Sequence, residues 1–209
     1  MFGRLPHFDE ASRAYPIRAL LPPRAHRSYT WRCAKHLDQQ QTPRCVGYTW
    51  AHDRIARPVE RTEADTADAD AIYARAQQLD PWPGDDYAGT SVLAGAKAAQ
   101  EARWVHEYRW GFTLDDTLAA LAWHGPVILG VAWRTGMMTP DSDGILHATG
   151  GDEGGHAILC KAINVRRRLV TLHNSWGPGW GRGGDAWLTW DDLGQLLAAR
   201  GEALIPVRR

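Results

Sequence analysis

The sequence lacks a long apolar run, has few cysteines and carries no surplus of charge. Between Met1 and Leu21 the polar residues Arg4, His7, Asp9, Glu10 and Arg13 interrupt every apolar stretch. Neither a secretory leader nor a membrane span is expected there, and no membrane partner. Cys33, Cys45 and Cys160 are an odd and small set that builds no disulfide framework. A reducing compartment follows as the expectation, hence a cytoplasmic protein, with non-classical export or virion incorporation as the compatible exceptions. Lys plus Arg and Asp plus Glu both total 24, which argues against a nucleic-acid partner held by a broadly basic surface. There is no internal repeat, and no G-x-S-x-G elbow for a serine hydrolase. Cys33-x-x-His36 with Cys45 lacks a second closely spaced ligand pair, so no metal is expected, and nothing calls for a cofactor.

What is present is enough chain, 209 residues, for one compact domain or two closely packed lobes. Pro16, Pro22 and Pro23 make residues 1–37 an extended arm rather than a helix. Apolar Val46, Tyr48, Trp50, Ala51 and Ile55 predict a buried helix from Cys45 to Ala56, bounded by Pro43 and Pro58. A second helix is predicted to about Leu79 with Thr66 as its N-cap. The run from Asp80 to Asp86, through Asp85, is turn chemistry, and Thr90 or Ser91 caps a third helix carrying Val92, Leu93, Ala96 and Ala99. Thr113 and Asp116 form a capping box for a helix over 114–124, stopped by Gly125-Pro126. Beyond it the pattern turns to strands at 127–133, 156–164, 169–175 and 185–190, then a last helix over 191–200. Helices first and antiparallel strands later predict an α+β fold, with a helical lobe over 38–110 and a β lobe over 111–209.

Three separated segments carry chemistry. Gly154-Gly155-His156-Ala157 precedes Asn174-Ser175-Trp176-Gly177, which is followed by Trp180-Gly181. An imidazole that serves a thiol as base and then acid needs its second nitrogen held by an uncharged acceptor, and Asn174 supplies one. Cys45 opens the predicted helix, where the helix N-terminus and a histidinium both favour thiolate. A lone cysteine is usually a small buried hydrophobe; it is Gln39, six residues upstream and suited to an oxyanion, together with the His–Asn pair, that makes Cys45 the nucleophile. Gln40 and Gln41 read as loop polarity. His173 alternates to the other strand face and reads as packing, and Cys160 as core. Most of the eleven tryptophans read as core and cleft walls.

These residues resemble the papain family of cysteine peptidases, in its compact bacterial and phage-like branch without a long prosegment. The resemblance covers Gln39 to Cys45, Tyr87 to Ser91, Gly155-His156-Ala157 and the Asn174 to Gly181 run. It implies a two-lobed papain-like fold, a helical left lobe and an antiparallel β-barrel-like right lobe, with the cleft between them and the arm crossing toward the β lobe. It assigns Cys45 as nucleophile, His156 as base and acid, Asn174 as orienter and Gln39 as oxyanion donor. Trp176 would shield the His–Asn bond and Trp180 would wall the leaving-group side. Gly89, Thr90, Ser91 and Gly155 would line the substrate cleft, with Val131 or Trp133 in an apolar pocket. Val46, Arg44 and Thr42 depart from the family's aromatic, small residue and cysteine at their positions. Cys45 precedes His156 by 111 residues and Asn174 by 129, against roughly 130–150 in papain-like enzymes, which implies trimmed loops. The expected activity is peptide-bond hydrolysis through an acyl-thioester, on a peptide or protein substrate. Acyl transfer or deamidation by the same triad is the second reading, and a structural part of a larger assembly, such as a virion or secretion complex, is the third. Residues 1–36 are themselves a candidate occupant of the cleft.

Overall fold

A computed structural model describes residues 2–84 and 86–208; Met1, Asp85 and Arg209 lie outside the described residues, Asp85 being part of the turn expected after Leu79. In chain order the elements are α1 (Glu10–Arg13), β1 (Tyr29–Thr30), α2 (Cys45–Ile55), α3 (Thr66–Leu79), α4 (Val92–Glu101), β2 (Glu107–Gly111), α5 (Leu114–Trp123), β3 (Val127–Arg134), β4 (Ile145–Leu146), β5 (Asp152–Asn164), β6 (Leu169–His173), β7 (Asp185–Thr189), α6 (Trp190–Ala198) and β8 (Glu202–Val207). The expected α+β architecture is present.

Local chemistry accounts for the helix boundaries. Thr113 and Asp116 form the reciprocal capping box of α5, and the Ser91 hydroxyl accepts from Ala94 N–H to cap α4. Each such cap contributes about 1 kcal/mol. Asp65, not Thr66, caps α3: its carboxylate accepts from Ala67 and Asp68, and Asp68 reaches back to the Asp65 N–H. α2 is almost wholly buried because it is sandwiched. A Cβ on Gly47 would stand 2.1 Å from the Ala69 carbonyl of α3, and one on Gly95 of α4 would stand 2.5 Å from Val46. Both glycines let backbones meet at distances no side chain permits.

The strands form one mostly antiparallel sheet in the order β2-β8-β3-β5-β6-β7-β4, with β1 added to β5; only β4 and β7 pair in parallel. The order does not close on itself, and this mostly antiparallel sheet is the β lobe of the expected α+β fold. β2 and β8 are strands that pattern alone did not reveal. β2 falls in the stretch expected to be helical lobe and pairs with β8 from Glu107↔Val207 to Gly111↔Ala203.

Strand alternation divides the interior in two. Ile128, Ala157, Leu159 and Leu204 join the helical core around Trp50, Ile72 and Leu93. Leu129, Val131, Ile158 and Cys160 point the other way, into the core with α5 and α6. Thus β5 passes between the lobes, and its beginning carries His156 to their boundary, opposite the N-terminus of α2. Among the described residues no helix is long and apolar enough to cross a membrane.

Candidate active site

Cys45 is the first residue of α2 and is fully buried. No side chain caps this helix, so its N-terminal N–H groups and partial positive charge are directed at the sulfur. The Sγ accepts from Ala157 N–H at 3.4 Å, which ties the helical lobe to the strand residue next to His156. Burial pushes the thiol above its ordinary range; backbone N–H groups of Ala157, Gly3 and Val46 oppose that shift.

His156 is equally buried, and its Nε2 lies 2.8 Å from Asn174 Oδ1. Asn174 sits one residue past the end of β6 rather than on the strand, and the same Oδ1 accepts from Ser175 N–H at 2.9 Å. Two bonds therefore fix the carboxamide. With Nε2 engaged, Nδ1 is the nitrogen left without a hydrogen-bond partner among the described residues. Trp176 lies over the imidazole at 5.1 Å and a 36° tilt, while Trp133 meets its edge at 4.9 Å. This dry enclosure lowers the imidazole pKa to about 4, burial being the larger cause and the Asn174 bond a partial offset.

Gln39 is buried with its amide held at both ends. Nε2 donates to the Thr42 carbonyl at 2.7 Å, and Oε1 accepts from Ser175 Oγ at 2.6 Å. Its own N–H bonds the Ser175 carbonyl, so Gln39 and the Asn174-Ser175 pair form one rigid unit. Gln40, read as loop polarity, takes a positive φ of 53° and turns the chain there.

The N-terminal arm fills the cleft. Gly3 and Arg4 N–H groups both bond the Gly155 carbonyl, at 3.0 and 2.9 Å, while Thr90 N–H bonds Gly3 O and Leu5 N–H bonds Thr90 O, at 2.8 and 2.9 Å. Arg4 and Thr90 thereby form a parallel bridge. Three glycines make the approach feasible. A Cβ on Gly3 would stand 1.9 Å from the Pro43 carbonyl, one on Gly89 2.3 Å from Gly3 O, and one on Gly155 2.0 Å from Arg4 O. Phe2 packs edge-on to His156 and Trp176, with ring centres at 5.8 and 6.0 Å. Beyond Phe2 an open cleft of about 490 Å³ is lined by Asp38, Gln40, Gln41, Met138 and Trp176.

Chains of solved structure share this arrangement of elements. Xylellain, a cysteine protease from Xylella fastidiosa, superposes with a TM-score of 0.72 at 16% identity, over 100% of this chain and 96% of that one. The chain has a papain-like fold. A procathepsin B from Trypanosoma congolense gives 0.69 at 12% identity over 100% and 87% of the two chains. The Amb a 11 cysteine protease of ragweed pollen, in its proform, gives 0.62 at 15% over 90% and 67%. No family model matches the sequence, and no curated protein matches it either.

The structure also places the other residues that the sequence singled out. Gly89, Thr90 and Gly155 line the cleft, but Ser91 is a fully buried helix cap turned to Ala94. Trp180 donates to Met138 O at 2.9 Å and packs on Trp176, on the open cleft's side. Val131 and Trp133 are enclosed in the core; Gly130 of the same strand faces the cleft instead, against Arg4. Cys160 is core, and burial raises its pKa. His173 is more than packing. It lies in a polar cluster 2.6 Å from Asp185 and 3.0 Å from the Lys35 carbonyl, with the His36 and His52 rings at 4.5 and 4.4 Å. Ligand atoms of His36, His173 and Asp185 lie within 4.8 Å of one another, but Lys161 Nζ stands 2.8 Å from Asp185 and supplies the cation there.

Proposed function

We propose that the chain is a cysteine peptidase that cleaves peptide bonds through an acyl-thioester. The observation that carries the reading is a helix-N-terminal thiol bonded by the N–H of Ala157, the residue next to an imidazole whose far nitrogen is bonded to a carboxamide. Cys45 Sγ attacks the substrate carbonyl carbon, its proton passing to His156 Nδ1. Asn174 holds the ring in the tautomer and orientation that transfer requires. The oxyanion forms beside the Cys45 N–H and the Gln39 amide, whose position Thr42 and Ser175 fix. The C–N bond then breaks as Nδ1 returns its proton to the leaving amine. Water, deprotonated by the same nitrogen, attacks the thioester carbon and expels the thiolate. Trp176 keeps bulk water from the His–Asn bond. A peptide is the fitting substrate because the cleft walls offer backbone N–H and C=O groups, at Thr90 and Gly155, that already bind an extended chain.

The seated arm accounts for how such a site stays quiet. The group that Gly3 presents to the sulfur is an N–H, not a carbonyl carbon, so the arm occupies the nucleophile without offering it a bond to cleave. Cys45→Ala is expected to abolish labelling by an epoxide or vinyl-sulfone thiol probe while leaving the circular dichroism spectrum unchanged. Equal labelling of that variant would reject Cys45 as nucleophile.

A further inference from the structure

His173 and Asn174 are consecutive at the end of β6, so their side chains leave opposite faces of the sheet. Asn174 turns to His156, and His173 turns toward the helical lobe, into a polar cluster that the proposed reaction does not use. His173 is 0% exposed. Its Nδ1 lies 2.6 Å from Asp185 Oδ1, and its Nε2 lies 3.0 Å from the Lys35 carbonyl. A carbonyl oxygen and an ionised carboxylate only accept, so the ring donates from both nitrogens and is an imidazolium. Burial raises the Asp185 pKa, but the bond from His173 and the charge of Lys161 together bring it below the ordinary carboxylate value, so the acid is ionised. The second carboxylate oxygen takes Lys161 Nζ at 2.8 Å, and one acid thus joins two cations. Lys161 reaches this place through a β-bulge, where the pairing of β5 with β6 shifts register between Cys160 and Ala162. Before the bulge Ala157 and Leu159 face the helical core, and after it Ile163 faces the other core. The chain changes face at Lys161 and aims its ammonium at the cluster.

Three parts of the active site meet here. The segment 35–39, which ends in Gln39, runs beside 173–177. His173 bonds Lys35 O, Gln39 N–H bonds Ser175 O at 2.8 Å, and Gly177 N–H bonds Leu37 O at 3.3 Å. His52, two turns beyond Cys45 in α2, accepts from Leu37 N–H at 2.9 Å, and its ring meets that of His173 edge-on at 4.4 Å. Burial lowers the His52 pKa well below its ordinary value, so this ring stays neutral, as an acceptor must. Past His173 the ladder of β6 ends, and the orientation of Asn174 depends on what holds its neighbour. We propose that His173, clamped by Asp185 and Lys161, is a positioning residue that sets the angle of Asn174 and, through Lys35, the seat of Gln39. The proposal rests on the peptidase reading for the reaction it serves and on the cluster's own bonds for how it acts. A displacement of about 1 Å at an orienting group is enough to lower a rate by about 100-fold.

The experiment uses the full chain with nitrogen-15 histidine, followed by nuclear magnetic resonance near neutral pH. In wild type His156 should give one tautomer, protonated at Nε2 and bare at Nδ1, as its bond to Asn174 Oδ1 requires. His173→Gln removes the charge and one of the two donors, and should show both tautomers of His156 in exchange. Asp185→Asn leaves the His173 ring in place, should show the same mixture, and keeps the test if His173→Gln does not fold. His36→Gln is the control, because His36 packs against the His173 ring at 4.5 Å and its loss leaves both bonds of His173 intact; it should show a single tautomer. The second measurement follows cleavage of a fluorogenic peptide amide in the Gly3→Val background, where the valine cannot share space with the Pro43 carbonyl and the cleft opens. Both cluster variants should lower kcat about tenfold or more with KM within about twofold, and His36→Gln should change neither. A single His156 tautomer in both cluster variants would overturn the proposal. So would a loss confined to KM, or a loss of kcat from an active parent no greater than that of His36→Gln. If the tautomers mix as expected while no form cleaves peptide, the positioning role stands and the peptidase reading falls.

Discussion

Protonation at the centre of the site depends on what covers it. With the arm seated, burial raises the Cys45 thiol and lowers the His156 imidazole to about 4, so near neutral pH both groups are uncharged. Burial is the largest cause of both shifts, and lifting Phe2 and Gly3 opens one side of that enclosure while Trp133 and Trp176 remain, which moves both groups toward the thiolate–imidazolium pair that the helix N-terminus and the Asn174 bond favour. Plug and silencer are therefore the same residues. The imidazole also makes a stability prediction. Its folded pKa lies below the ordinary 6.5, so the unfolded chain binds the proton more readily. His156 contributes full stability above about pH 6.5 and loses it as pH falls toward 4, by at most about 3 kcal/mol. The His52 pKa, lowered well below its ordinary value by burial, acts in the same direction. Urea unfolding at pH 7 and pH 4 should show a larger drop for wild type than for His156→Asn; identical drops would contradict the assignment.

At the scale of elements, residues 3–5 of the arm are held in the cleft by four backbone hydrogen bonds and one buried ion pair, with glycines at the points of closest approach. Gly3→Val brings a branched side chain against the Pro43 carbonyl, which belongs to the backbone that starts α2 and cannot yield. The arm should leave, and Cys45 labelling should accelerate at least about tenfold, since the rate follows the open fraction. Unchanged labelling would mean that the arm does not gate the thiol. The legibility of elements followed the range of the contacts that make them. α4 and α5 were readable because their caps, Ser91 and Thr113 with Asp116, lie within three residues of what they bond. β2 and β8 were not, because Glu107–Gly111 finds its partner only near the other end of the chain, and Pro206 inside β8 suppresses the strand signal. His156, Asn174 and Gln39 were legible from Gly-His-Ala, Asn-Ser-Trp and a six-residue offset. The Arg4–Glu202 ion pair was not, because its two partners lie 198 positions apart.

On the scale of the whole molecule, that pairing spans nearly the entire sequence. Contacts of such separation form late, after the intervening segments have collapsed and paid their loop entropy. The socket for Arg4 needs β3, β8 and the start of α4 together, so the arm cannot dock until both lobes and their junction exist. A refolding experiment with pulses of a small alkylating agent should find Cys45 modified more in the last detectable intermediate than in the native protein. Protection that arises before the native sheet would place docking earlier.

A chain that makes its plug long before the strand that anchors it passes through a folded but uncapped stage, and on the proposed peptidase reading quiescence would be the final event of maturation. The guard is tethered to what it guards, so dilution does not loosen it. A competing peptide must arrive at a concentration that outmatches a neighbour already in place.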